Sequence, residues 1–390
     1  MAPRKYRPKV KLGVDIFLEE NLKEWRKARL GLILNQASIT TKLLPTLWAL
    51  LEKGMLVSAL FAPEHGMLGE GQAGEEIEFA IDEQTGIPIY SLYGEARKPT
   101  EAMLEDVDVL VWDLPEIGAR YSTYISTLVL SMQSAAEKGI PFLVLDRPNP
   151  IGGKREGNIL DDKFRSFVGM LPIPNRHGLT PAELALYAKD IYNMDLDLRI
   201  FPMVGWKRKM FYDDTGLIWV NPSPNLPHLE NVLLYPGACL LEGTNISEGR
   251  GTTMPFQILG APWIKGFELA MTLNSNSEGV FFREVKFVPN FSKYKGEQCD
   301  GVAVHILDPE IDIVMLYIFI IQTIKVMYPD KLRWLKREKG YVIDYLAGTD
   351  LLRRTMDELG SFSEVFTFWD EELESFEETV QPYLIYPTSY

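Results

Sequence analysis

The feature that most constrains this chain is an alternation, within its first 150 residues, of short apolar runs and stretches of helical periodicity. Leu30 to Leu34, Leu56 to Ala62, Ile87 to Leu92, Val107 to Trp112 and Pro141 to Leu145 read as strands. Thr41 to Lys53, Pro99 to Glu105 and Tyr124 to Lys138 read as helices, and Gly54 and Gly139 stand where two of them would end. A helix C-terminus favours glycine because it tolerates left-handed backbone. Strands alternating with helices call for a parallel sheet covered on both faces. The strands are apolar throughout, as burial on both faces requires. The expected fold class is therefore α/β, a Rossmann-like parallel sheet over residues 8–232. The stretch "WVNPSPNLPHLENVLLYPG", with four prolines, marks a crossing. Beyond it the pattern is mixed, and residues 233–390 read as an α+β domain.

In open parallel sheets ligands bind beyond the carboxyl ends of the strands. Here Leu34 leads to Asn35, Ala62 to Glu64 and His65, Trp112 to Asp113 and Glu116, and Leu145 to Asp146, Arg147 and Asn149. One polar strand end is commonplace, but four on one edge, three of them acidic, point to a site. The alternative is a set of separate helix caps and turn residues. No GxGxxG follows the first strand and no GxxxxGK[ST] occurs, so a dinucleotide or P-loop nucleotide has no motif behind it.

A net charge of -14 repels nucleic acid and anionic membranes, and neither is expected as a partner. The two cysteines form no CxxC pair and the four histidines are scattered, so neither a metal nor an organic cofactor is expected. One disulfide or two free thiols remain open. The segment "MAPRKYRPKVKLGVD" lacks the apolar core of a signal peptide. A cytoplasmic location is expected, unless a leader has been removed. Ile313 to Ile321 is too short to span a bilayer and reads as a buried helix.

Seven motifs occur in order: "APEHG", "IGARYSTY", "VLDRPNPIGG", "PNRHGLTPAELA", "NPSPNLP", "YPGACLLEGTNISEGRGTTMPFQILGAPW" and the tail from "YLAGTDLLRRT" to "QPYLIYP". Together they resemble the exo-β-N-acetylmuramidases of the NamZ type, from about Leu12 to Tyr386. The resemblance implies a Rossmann-like domain, a smaller second domain and a cleft between them. It also implies release of N-acetylmuramic acid from the non-reducing end of peptidoglycan fragments. The stretch "DLPEIG" departs from the family's usual pattern ahead of the IGAR match, which bears on the role of Glu116.

Glycoside hydrolysis normally uses two carboxyl groups. Glu64 is the first candidate for the general acid, with His65 orienting it or a sugar hydroxyl. Asp113 and Glu116 compete for the second role, unless the sugar's own acetamido group is the nucleophile. The lactyl carboxylate of muramic acid calls for arginine, whose fork matches a carboxylate. Arg120, Arg147, Arg176 and Arg250 are the candidates, Arg250 first because glycines flank it and would let a ligand approach. Asn35, Tyr124, Asp146, Asn149, His177, Asn225, Glu242, Asn245 and Glu248 complete the expected substrate-binding set. A non-catalytic carbohydrate-binding or regulatory protein with the same cleft is the alternative. The oligomeric state is open.

Overall fold

The computed structural model describes residues 6–69, 71–72, 79–358 and 360–387, with Asn21 described by its backbone alone. Strands β1 (Arg29–Ile33), β2 (Leu56–Ala62), β3 (Ala80–Ile81), β4 (Pro88–Ser91), β5 (Val109–Trp112) and β6 (Phe142–Leu145) come first. A small antiparallel ribbon, β7 (Glu156–Ile159) with β8 (Pro174–Arg176), follows, and β9 (Leu198–Phe201) closes the main sheet. That sheet has the order β3-β4-β2-β1-β5-β6-β9. Every pairing in it is parallel except β3 with β4. The strand order reverses between β1 and β5, whose carboxyl ends open a crevice.

Side chains alternate across this sheet as the pleat dictates. Phe61, Leu110, Trp112, Phe142 and Val144 face the helices Thr123–Lys138 and Pro181–Ile191. Leu30, Leu32, Leu60, Val109, Val111, Leu143 and Leu145 face the N-terminal residues Val10, Leu12, Val14 and Phe17 and the helix Thr46–Glu52. Thr180, Pro181 and Glu183 form the expected capping box of the Pro181–Ile191 helix. Gly139 ends the Thr123–Lys138 helix at φ 72°.

Two expected helices differ. The first begins at Thr46 rather than Thr41, because Leu43 turns through φ 64° and Pro45 is extended. Pro99 to Glu105 forms turns, not a helix. A segment this short makes too few bonds to repay helix nucleation, and Asp106 and Asp108 just beyond it pair with Arg29.

The later part holds a three-stranded antiparallel sheet, β10 (Ile258–Ala261), β12 (Cys299–Ile306) and β11 (Val280–Phe287) in that order. It packs with the helices Leu229–Ala238, Gly266–Asn274 and Ile313–Met327 in one large core. A short hairpin, β13 (Lys336–Arg337) and β14 (Gly340–Tyr341), hangs beside it. The chain then returns: Phe376 and Val380 of the helix Ser363–Val380 join the core of the first sheet, and the Tyr386 hydroxyl reaches Asp146. No helix among the described residues is long and apolar enough to cross a membrane.

Candidate active site

Glu64 lies two residues beyond β2, half-buried. Its Oε2 accepts a 2.7 Å hydrogen bond from Thr123 Oγ1, at the start of the Thr123–Lys138 helix. The Tyr93 hydroxyl, just past β4, also bonds this carboxylate. His65 follows at φ 76°, a left-handed conformation that costs a non-glycine residue energy and concentrates at functional sites. The turn aims its ring inward. Nδ1 lies 2.9 Å from the Gly71 carbonyl, which can only accept, so Nδ1 carries the proton. Burial lowers the His65 pKa below 6.5, partly opposed by Glu64, and Arg250 lowers it further. The ring is therefore neutral at neutral pH, with Nε2 an acceptor.

Arg250 is thus close enough to be felt at His65, although it comes from the other half of the chain. Its Nε and Nη2 donate to Glu242 Oε1 at 3.2 and 2.9 Å, and its guanidinium lies 4.9 Å from the Phe256 ring centre. Nη1 is buried without a hydrogen-bond partner among the described residues. Glu248, 3.7 Å from Arg250 Nε, is held by Lys293 at 2.8 Å. The flanking glycines do not open the site, contrary to the expectation from sequence. Gly249 and Gly251 both sit at φ 81°, and a Cβ on Gly251 would lie 2.5 Å from the Phe291 carbonyl oxygen. They shape a tight turn against protein rather than leaving room for a ligand.

Asn35 and Tyr124 form the floor under Glu64. Asn35 Nδ2 donates to the Tyr124 hydroxyl at 3.0 Å, and that hydroxyl donates to the Pro222 carbonyl at 2.8 Å. Both residues are buried. Burial pushes the Tyr124 phenol pKa up, and the charges of Glu64 and Glu116 add to the shift, so both carboxylates lie near this phenol. Glu116 Oε1 accepts from the Ile117 and Gly118 amides at 2.8 and 3.2 Å. It faces His177 Nε2 at 3.7 Å, while His177 Nδ1 accepts from the Leu179 amide. Glu116 also lines a small pocket with Arg147, Tyr212 and Trp219. Asn225 reaches Gln72 at 3.4 Å, on the segment after His65.

The other strand-end residues are locks. Asp113, expected as a second carboxylate, is 1% exposed, and its two oxygens accept from Arg147 Nε and Nη2 at 2.8 and 2.9 Å. That bidentate pair occupies Arg147 as well as Asp113. Asp146 is fully buried, taking the Ala182 amide and the Tyr386 hydroxyl, and burial raises its pKa to about 7. Arg120 gives its two terminal nitrogens to the carbonyls of Asn158, Ile173, Leu346 and Ala347. Arg176 is buried against Glu156. Asn149 bonds the Leu179 carbonyl and the Ile151 amide, and Asn245 clips the backbone at Lys331 and Arg333. Most polar atoms of these side chains are engaged inside the protein, while Nε of Arg120 and of Arg176 has no hydrogen-bond partner among the described residues.

The comparisons with known proteins agree with this architecture. Residues 30–230 match the family described as exo-beta-N-acetylmuramidase NamZ, N-terminal, and residues 233–386 match its C-terminal counterpart. The chain belongs to the NamZ family. It is 44% identical over 384 residues to the peptidoglycan beta-N-acetylmuramidase NamZ of Bacillus subtilis (strain 168), covering 97% of this chain and 92% of that protein. Among solved structures, a DUF1343 family protein from Bacteroides fragilis is 37% identical with a TM-score of 0.89, over 98% of this chain and 100% of that one. A second, from the same organism, is 28% identical with a TM-score of 0.78, over 97% and 99%.

Within this NamZ-family site, sequence reasoning missed Tyr93, Thr123, Tyr212 and Trp219. A signal existed for Tyr93, because it follows a strand end as Glu64 does. Thr123 lay inside a recognised motif but carries no chemistry of its own until the fold brings it to Glu64.

Proposed function

We propose that this chain is a glycoside hydrolase that releases N-acetylmuramic acid from the non-reducing end of peptidoglycan fragments. The name and identity of the B. subtilis relative support the activity. The observation that carries the assignment to a residue is Glu64. It is half-buried at a strand end, held by two hydroxyls, beside a neutral histidine and within the field of Arg250.

In this reading Glu64 protonates the glycosidic oxygen as the bond breaks. Thr123 and Tyr93 keep its carboxyl in one rotamer, so the proton is delivered along one direction. The His65 Nε2 lone pair accepts from Glu64 or from a sugar hydroxyl. Arg250 Nη1, without a hydrogen-bond partner among the described residues, takes the lactyl carboxylate, with Glu242 and Phe256 holding the guanidinium plane. Glu116, which like Glu64 acts electrostatically on the Tyr124 phenol, is the second carboxyl group. The division into a sheet domain over residues 8–232 and a second domain over 233–390 belongs to the same reading. So does a cytoplasmic location, which the two free, buried cysteines support.

The test is Glu64→Gln, assayed on a natural disaccharide and on a nitrophenyl muramide. The natural leaving group needs protonation and nitrophenolate does not. The expected loss on the disaccharide is about 10²- to 10⁴-fold, with a much smaller loss on the aryl substrate. Equal, severe losses on both would make Glu64 a nucleophile or base instead. No loss on either would leave it a structural residue.

A further inference from the structure

A general acid touches the leaving group, so the residues around its carboxyl contact the departing sugar. Beside Tyr93, one of the hydroxyls on Glu64, lie a second aromatic ring and a guanidinium. The register pairs Ala62 of β2 with Ser91 of β4, which places Tyr93 beside Glu64. The Tyr93 ring centre lies 6.0 Å from that of Phe167 at 51°, and the Arg97 guanidinium is 4.6 Å from the Phe167 centre. Phe167 is not a loose loop residue. Ser126 Oγ, on the helix that carries Thr123, donates to its carbonyl at 2.8 Å. Ser166 and Gly169 close a turn around it. One helix therefore fixes both the acid's hydroxyl partner and this ring. Tyr93 and Phe167 are each partly exposed, and Arg97 is exposed.

Burial and the Glu64 charge push the Tyr93 phenol up to about 12, so it stays a proton donor. Arg97 and Arg337, the latter on the β13–β14 hairpin, partly oppose that shift and so lie near the same mouth. Among the described residues Arg97 makes no ion pair, so none of their carboxylates draws its five N–H donors. Two half-exposed rings offer an apolar surface to one face of a pyranose, and a guanidinium offers donors to its hydroxyls.

We propose that Tyr93, Phe167 and Arg97 form the leaving-group subsite, which takes the uncharged amino sugar released when the muramyl bond is cut. This rests on the hydrolase reading above. Phe167 supplies the stacking surface and Arg97 the polar grip. Tyr93 serves twice, contacting the sugar and orienting Glu64.

The experiment compares the wild type with Phe167→Ala and Arg97→Ala. It uses a muramyl–glucosaminide disaccharide and β-N-acetylmuramyl azide, whose small leaving group has no ring to stack. It also measures inhibition by N-acetylglucosamine and by N-acetylmuramic acid. For Phe167→Ala, KM for the disaccharide and the inhibition constant for N-acetylglucosamine should both rise roughly 5- to 10-fold, as loss of an aromatic contact implies. Azide turnover and inhibition by N-acetylmuramic acid should not move. Arg97→Ala, at an exposed position that the fold does not need, should show the same pattern more weakly, and Phe167→Tyr should restore it. If both alanine variants match the wild type in KM and in N-acetylglucosamine inhibition, the subsite is wrong. It is also wrong if Phe167→Ala loses all four properties alike while Arg97→Ala loses none. If the wild type cleaves neither substrate, the hydrolase reading fails and this one with it. Cleavage of both substrates with unchanged variants sinks the subsite alone.

Discussion

Glu64 and Asp113 stand in nearly the same place in the fold, each just beyond the carboxyl end of a parallel strand of one sheet. Their surroundings are opposite. Glu64 is half-buried and meets neutral hydroxyls, Thr123 and Tyr93. Asp113 is buried and gripped by the fork of Arg147, with Thr46 on one oxygen. Hydroxyl partners leave a carboxyl free to hold or give up a proton. A bidentate arginine binds the ionised form and adds a large cost to protonating it. Burial works against that ionisation at Asp113 and raises its pKa, with Arg147 pulling it back down. The position at a strand end thus makes a carboxylate available, and the charge of its partner decides whether it reacts or braces.

Replacing each carboxylate sharpens the comparison. Glu64→Gln should lose about 10²- to 10⁴-fold in disaccharide turnover, while its thermal unfolding stays close to that of the wild type. Asp113→Ala should do the reverse per folded molecule. It strands a buried guanidinium, and breaking such a pair costs about 3–5 kcal/mol. Denaturant unfolding should show that loss, with turnover preserved in the fraction that remains folded. Replacing both members, as Asp113→Leu with Arg147→Met, should recover much of the stability, because no unpaired charge remains. A stable, inactive Asp113→Ala would break the comparison and return Asp113 to the chemistry.

A third carboxylate, Asp146, gives a smaller effect and a pH signature. Its pKa rises from 3.8 to about 7 on folding, chiefly through burial. A group raised in the folded state contributes stability that is fully present below its unfolded pKa. As pH climbs from 3.8 toward 7, the unfolded chain gives up the proton and the folded one keeps it, so this contribution is lost. Asp146→Asn keeps the shape without the titration. Its stability should fall less than that of the wild type between those pH values, measured by chemical denaturation. An identical slope in both proteins would mean that Asp146 stays ionised in the fold.

Much of the sheet was legible in the sequence. Five apolar runs and their terminal turns gave β1, β2, β4, β5 and β6 to within two residues at each end, because burial on both faces leaves a signal that neighbours cannot hide. Helix starts were less legible where a proline or a strained turn intervened, as at Leu43 and Pro45. Strand-end chemistry pointed first to Glu64 and His65, but also to Asp113, Asp146 and Arg147. Local sequence carries no record of which distant group will meet a given side chain.

What the sequence by itself determined is the layered α/β plan, the family motifs and the edge of the sheet on which polar groups gather. These follow from periodicity, capping and turn chemistry, which act over a few residues. The tertiary structure alone decided which polar groups remain available. It brought Arg147 onto Asp113, Tyr386 onto Asp146, the backbone at Leu346 and Ala347 onto Arg120, and the hydroxyls of Thr123 and Tyr93 onto Glu64. The reason is physical. A carboxylate's reactivity depends on the solvation and charge within a few ångströms of it, and that neighbourhood is assembled from segments as far apart as residues 64 and 123 or 146 and 386.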